Sequence, residues 1–378
     1  MKKPHRSEAL IIGAGPAGAS LAVWLAKEGW DCILVDRATF PRKKPCASCF
    51  SPHCFPFLER LGLADMVRTG QLVRYVDLQT PNRSARIDAT RHPFGPSFYV
   101  YQRVEFDALL VDHARMLSVR IMEGVSIDGL LRKDGRVVGA RAGDEEFRAD
   151  VTVVATGSNM KFLPANYRPS VRAYQTITGW YQGYSDPETT DSFTAPWLMG
   201  TGWLYPESVE RANVGIMVHE DLLRASEKNL RTLFEAYLET PYIRERLKRA
   251  KQIGRLSGSP IRYTMRPEGI VDDGLIMIGE ACLLTHPNTG EGISQAFRSA
   301  DAAVKTLRNA REAGTYDRES LQPYSTGIES MFGRNFRKAA LMRRWTDNPF
   351  LYETTVMAAR RLPVVTHWFE KRLDRLAL

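Results

Sequence analysis

Apolar residues along the chain follow two different rhythms, and the switches between them mark the elements. Residues 9–12 form a short unbroken apolar run of the kind seen in strands buried on both faces. Gly13-Ala14-Gly15-Pro16-Ala17-Gly18 follows, then a helical pattern through Lys27 that Gly29 closes. Cys32-Ile33-Leu34-Val35 is a second apolar run and ends at Asp36. The order predicts strand, glycine turn, helix, strand and acid, which is a complete βαβ unit. Further on, Phe106, Leu109, Leu110 and Ala114 give residues 103–116 one apolar face, predicting an amphipathic helix. Residues 125–132 and 136–141 flank Asp134-Gly135 and predict a hairpin. Residues 151–155 and 275–278 predict two more buried strands, and Ile293, Ala296, Phe297, Ala300 and Val304 the apolar face of a long helix.

Two stretches follow the other rhythm. Residues 71–101 and 166–265 alternate aromatic and polar residues between Gly and Pro breaks, which predicts antiparallel sheet. Beyond residue 311 the pattern is helical. The fold class expected is α/β: a Rossmann-like dinucleotide (FAD or NAD(P)) domain of residues 1–70, 102–165 and 266–310. A substrate domain of antiparallel sheet, 71–101 and 166–265, is inserted into it, and a helical segment, 311–378, ends the chain.

Composition narrows this little. The 378 residues suit about two domains. With 44% apolar and 25% charged residues the chain can bury a sizeable core. No apolar run reaches the ~18–20 residues of a membrane span. Lys2, Lys3, His5 and Arg6 precede an apolar run as in a secretory signal, but the glycine spacing makes that run the start of the fold, so a cytoplasmic location is expected. The net charge is +9, and residues 334–378 hold ten Lys/Arg against four Asp/Glu. Two readings stand: a tail that touches anionic membrane surface or an acidic carrier, or solvated amphipathic helices packed on the domain. No nucleic-acid recognition motif accompanies the charge, so no nucleic-acid partner is expected.

Cys32, Cys46, Cys49, Cys54 and Cys282 are odd in number, which argues against a disulfide framework. Cys46, Cys49 and Cys54 lie close together, but His53 gives them no regular fourth ligand, and no metal is expected.

The glycine turn carries the first chemistry. Gly13 permits the tight turn, Gly15 lets backbone approach a pyrophosphate, and Gly18 lets helix and strand pack closely. Pro16 and Ala17 open the helix, whose free N–H groups and partial positive charge suit phosphates. Asp36, with Arg37 beside it, is placed to accept hydrogen bonds from a ribose. This half-site fits FAD and NAD alike.

Residues 274–300 decide between them by resemblance. Glu280 ends a strand, and Pro287, Gly290, Glu291, Gly292 and Ile293 form a loop before the long helix. These residues resemble the geranylgeranyl reductase family, within the flavoproteins of the para-hydroxybenzoate hydroxylase fold. Three further segments match it. Phe40-Pro41-Arg42-Lys43-Lys44-Pro45-Cys46-Ala47 is similar to its Pro-Cys-Gly segment. Gln102-Arg103-Val104-Glu105-Phe106-Asp107 resembles its Arg-x-x-Phe-Asp segment, and Gly202-Trp203-Leu204-Tyr205-Pro206 its Gly-Trp-x-Phe-Pro strand. The match covers residues 8 to about 310. It implies FAD as cofactor, with Glu280 on the ribityl chain, the 287–293 loop along the isoalloxazine, Arg103 reaching the cofactor, Val125 beside the adenine and Cys46 near the flavin. Loop N–H groups would face the flavin N1 and C2 oxygen, where charge sits after reduction. Three departures concern substrate and donor: Glu280 replaces the usual Asp, Ala155-Thr156-Gly157 replaces Ala-Asp-Gly, and Ala47 replaces Gly.

The chemistry expected is hydride delivery from reduced FAD to a carbon–carbon double bond of a small apolar, polyprenyl or polyketide-like substrate. Trp203 and Tyr205 point the same way on a strand and either wall the substrate pocket or belong to sheet core. Cys46 and His286 are candidate proton donors. The alternatives are a space-filling thiol and a structural histidine. No second glycine βαβ unit is present, so the reductant is either NAD(P)H docking transiently or another protein. Two rivals remain. In a flavin monooxygenase or halogenase oxygen adds to the reduced flavin, although Thr201 stands where the halogenase pattern Trp-x-Trp-x-Ile-Pro has its first Trp. A flavin electron carrier without turnover is the other.

Overall fold

A computed structural model describes residues 3–91, 98–184, 186–264, 268–346, 348–362 and 365. The chain is α/β. His5–Ile12 lies centrally in a parallel sheet, paired with Cys32–Val35 on one side and Glu145–Val154 on the other. Arg120–Met122 and Leu275–Met277 extend it outward, also in parallel. Its apolar runs are unbroken because the strands are buried: Ala9, Leu10, Ile11, Leu34, Val35, Val153 and Val154 are fully enclosed. Pro16–Lys27 packs against both Arg103–Met116 and Ile293–Ala313. The hairpin Gly129–Lys133 and Arg136–Ala142 joins the edge of Glu145–Val154. Its turn residues Asp134 and Gly135 have φ of 50° and 83°, the double left-handed geometry whose twist suits a two-residue hairpin.

The second sheet runs in the order Lys251–Ser257, Ala173–Gln182, Arg211–His219, Gly200–Pro206, Thr189–Ala195, Tyr75–Gln79, Ser84–Asp88. Its pairs are antiparallel except Thr189–Ala195 with Tyr75–Gln79, which run parallel. Residues 71–101 therefore do two jobs. Tyr99–Val100 pairs with Gln71–Leu72 on one side and Cys49–Phe50 on the other in a small sheet that anchors the cysteine-bearing segment, while 75–88 extend the large one.

Alternation along the large sheet separates its faces. Phe193, Leu204, Val214, Ile216 and Val218 form the outer face and pack on Leu233, Phe234 and Tyr237 of the helix Leu230–Leu238. Two more helices, Glu220–Ala225 and Pro241–Leu247, accompany it inside a stretch expected to be sheet. They are short, and the β rhythm around them masks their period. The opposite parity (Thr190, Ser192, Trp203, Tyr205 and Met217) faces a cavity instead. The tail forms two helices, Arg318–Thr346 and Pro349–Arg361. Val356 and Ala359 of the second pack on Ala85 at the edge of the large sheet. Among the described residues no helix is long and apolar enough to cross a membrane.

Candidate active site

The carboxyl ends of five parallel strands empty into one cavity. Gly13 follows the first, Asp36 the second, Val125 the third, Ala155 to Asn159 the fourth and Glu280 the fifth, and all of them line it. Its volume is about 1840 Å³. Small-ligand pockets end near ~1,000 Å³, so a dinucleotide and a second molecule fit together.

The glycines explain one end. Gly13 has φ +109°, and a Cβ there would lie 2.4 Å from the Ala155 carbonyl oxygen. A Cβ on Gly18 would lie 1.9 Å from the Gly13 oxygen, so strand and helix meet where only hydrogen fits. Gly15 differs: a Cβ there would meet only Arg42 Nη2, at 3.6 Å. Nothing in the fold needs glycine at 15, whereas a ligand pressed against the backbone does. Pro16 occupies the first turn of the helix and lines the cavity with Ala17. The Asp36 carboxylate accepts the N–H groups of Ala14, at 2.7 Å, and Ala38, at 2.8 Å, which tie it across the glycine turn. Arg37 and Val125 stand on the same wall.

A buried ionic knot holds the next section. Asp107, with a side chain 0% exposed, accepts two hydrogen bonds from Arg103, at 2.8 and 2.7 Å, and lies 3.0 Å from Arg42 Nη2. The i,i+4 spacing of Arg103 and Asp107 on one helix allows the paired geometry. Cys46 borders the cavity with Arg103, and its sulfur accepts the Ser48 N–H at 3.3 Å. Lys44, two residues earlier, lines the same wall, and burial pulls its ammonium below the usual lysine range although Glu280 opposes the shift. Burial raises the Glu280 carboxyl, against which Lys44 and the Arg262 N–H, at 3.1 Å from Oε1, work. The longer Glu side chain is accommodated beside Gly157, where a Cβ would lie 3.8 Å from Oε2.

The 287–293 loop lies at the other end. Gly290, Glu291, Gly292 and Ile293 line the cavity; Pro287 does not, and its carbonyl instead accepts the Tyr174 hydroxyl at 2.6 Å. That bond ties the loop to the large sheet. Ser51 donates to Glu291 Oε1 at 2.5 Å, and burial raises the Glu291 carboxyl. His286 lies behind the loop, 2% exposed and off the cavity wall. Its Nδ1 faces the N–H groups of Asn288 and Thr289, both at 3.3 Å, and burial lowers its pKa to about 4. A neutral imidazole accepting from backbone organises the loop; nothing in its position brings it to a substrate. Trp203 and Tyr205 both face the cavity. Trp203 lies on Gly215, where a Cβ would come within 2.2 Å of its Cζ2, and its Nε1 donates to Asn213 Oδ1 at 2.8 Å.

Comparison with known proteins gives the same answer as this geometry. Residues 6–161 match the family described as an FAD binding domain. The chain is an FAD-dependent oxidoreductase. A menaquinone reductase of Mycolicibacterium smegmatis is 24% identical over 96% of this flavoprotein and 90% of its own length. A geranylgeranyl bacteriochlorophyll reductase-like structure from Thermoplasma acidophilum superposes with a TM-score of 0.82 at 19% identity, covering 99% and 98% of the two chains. A myxobacterial chondrochloren halogenase shares the fold, with a TM-score of 0.77 at 19% identity over 99% and 91%. The residues present fit FAD: the glycine turn and Asp36 would hold its adenosine diphosphate end, Arg42, Lys44, Arg103 and Glu280 its middle, and residues 290–293 would border its ring. Bound there, it supplies two-electron hydride chemistry.

Sequence reasoning missed Lys44, the Asp107 knot, the Ser51–Glu291 pair and the tail residues Leu341, Tyr352 and Thr355, which also border the cavity. Asp107 was findable, since it follows Arg103 at helical spacing. Nothing in the sequence marked Tyr352. All five cysteines are free thiols.

Proposed function

We propose that this flavoprotein uses reduced FAD to reduce a carbon–carbon double bond of an apolar, isoprenoid or polyketide-like substrate. One observation carries the reading: the cofactor cavity continues, without a partition, onto the inner face of the large sheet. There Val76, Leu78, Ile87, Trp203 and Met217 present apolar and aromatic surface. Three of the threonines beside them are already engaged: Thr176 donates to the Ser259 carbonyl at 2.6 Å, Thr178 to Val214 at 2.9 Å and Thr190 to Leu204 at 2.8 Å. Hydroxyl protons satisfied internally leave that part of the wall favouring an apolar guest. A relative named for reducing a quinone fits the same class.

The electron donor reaches the flavin from outside. Lys43, Lys161, Arg168 and Arg262 border the cavity, which favours an anionic reductant such as NAD(P)H docking transiently, or an acidic reductant protein. The basic tail, residues 334–378, is the surface for a peripheral membrane contact, and its residues 347, 363–364 and 366–378 lie outside the described residues.

The test is anaerobic. Enzyme reduced with dithionite is mixed with isoprenoid aldehydes and quinones, and flavin reoxidation and product mass are followed. Products two mass units heavier in which the carbonyl groups are intact and a carbon–carbon double bond is lost support the reading. A reduced enzyme that leaves every alkene unchanged, yet consumes substrate once oxygen is admitted, refutes it in favour of a monooxygenase.

A further inference from the structure

We propose that the Tyr205 hydroxyl is the proton donor that completes reduction of the double bond. The inference rests on the reductase reading and names the acid that this reading requires.

Reducing an alkene needs a hydride at one carbon and a proton at the other. The carbon that receives hydride from the reduced cofactor leaves its neighbour carbanionic. That neighbour takes the Tyr205 proton as the phenol O–H bond breaks, and solvent later reprotonates the phenolate. The substrate gains two hydrogens, the carbon–carbon π bond is lost, and the cofactor is left oxidised.

Four observations converge on Tyr205. Its strand resembles a pattern with phenylalanine at this place, so the hydroxyl is this chain's own addition. It lies two residues from Trp203 on the same face and borders the same cavity. Asp191 pairs with Leu204, so Thr190 stands opposite Tyr205 on the neighbouring strand and borders the same cavity, its own proton going to the Leu204 carbonyl at 2.8 Å. A hydroxyl rotates to suit, so Thr190 can turn that proton onto the phenolate once Tyr205 has given up its own. Burial, with Cys49 beside it, pushes the phenol above its ordinary range, so it stays protonated and yields only to a strongly basic carbon.

Of the competing acids, His286 is behind the loop and off the cavity wall, whereas Cys46 and Glu291 border the cavity, so the Tyr205→Phe rate is what separates Tyr205 from them.

Tyr205→Phe removes the oxygen and keeps the ring. FAD-loaded wild type and variant are reduced with dithionite and mixed anaerobically with citral or farnesal, in water and in deuterium oxide. The variant should bind the aldehydes within about twofold of wild type, read as a shift in the oxidised flavin spectrum. Its flavin reoxidation should slow by ~10²-fold or more. The wild-type rate should carry a solvent isotope effect, and its product in deuterium oxide two solvent deuterons on carbon, because dithionite supplies electrons only and the hydride, like the proton, then originates in solvent. Thr190→Val should also slow reoxidation, with Thr190→Ser restoring it. A Tyr205→Phe enzyme within about threefold of wild type overturns the inference alone, as does a slowing matched by lost binding. A wild type that neither aldehyde reoxidises overturns the inference, and if the quinones also fail the reductase reading falls with it.

Discussion

Removing Asp107 tests whether the ionic knot beside the cofactor holds the fold. Asp107 and Arg103 have side chains 0% and 8% exposed, and Arg42 is 18% exposed. In Asp107→Ala the Arg103 guanidinium loses both hydrogen bonds while staying buried, and Arg42 loses its partner. Breaking a buried pair from one side costs about 3–5 kcal/mol, mostly because the remaining charge is uncompensated. An unfolding entropy of about 2.1 cal/mol/K per residue makes roughly 0.8 kcal/mol/K for 378 residues, so the midpoint should fall by roughly 4–6 °C. Scanning calorimetry on flavin-stripped protein measures it. Arg103→Met combined with Asp107→Leu removes both charges and should recover most of the loss, since apolar pairs of similar volume often replace buried ion pairs without penalty. An Asp107→Ala midpoint within about 1 °C of wild type would refute the reasoning. So would a double variant as unstable as the single one, because the loss would then owe nothing to a stranded charge.

Three other outcomes follow from the geometry. Gly18→Ala drives a methyl into the Gly13 carbonyl and should lower the unfolding midpoint, whereas Gly15→Ala should fold normally and purify with little flavin absorbance near 450 nm. Gly215→Ala should lift Trp203 off the sheet and change substrate KM with the FAD content intact; crystallographic or fluorescence evidence of an unmoved Trp203 would contradict this. His286 has a folded pKa of about 4 against ~6.5 unfolded, so the unfolded state binds the extra proton between those values. Stability is therefore full above pH ~6.5 and is lost as pH falls toward 4, by about 3 kcal/mol in all, and His286→Gln should flatten that limb of the denaturation curve.

The cofactor half of the fold was legible because its requirements are local. A glycine turn between a buried strand and a helix can be read from spacing alone, and Arg103–Met116 was visible from its apolar face. The hairpin turn was written in Asp134-Gly135. The substrate half was less legible because its chemistry is assembled across strands. Trp203 and Tyr205 could be placed on one face, but the Gly215 beneath Trp203 comes from a different strand, with no spacing to reveal it. His286 shows the opposite failure. Sequence proximity to the flavin loop suggested chemistry, and the backbone turned its ring inward, where burial keeps it neutral. Parallel pairing of Thr189–Ala195 with Tyr75–Gln79 spans more than a hundred residues, beyond the reach of any local pattern.

The tail has a consequence for how the molecule comes into being. Every segment around the cofactor end of the cavity precedes residue 297, while Leu341, Tyr352 and Thr355 arrive only with the last helices. During synthesis, which proceeds from the N-terminus, the flavin cradle is complete before the outermost wall exists. A nascent chain therefore holds the whole flavin cradle before the tail residues that complete the cavity's lining are made.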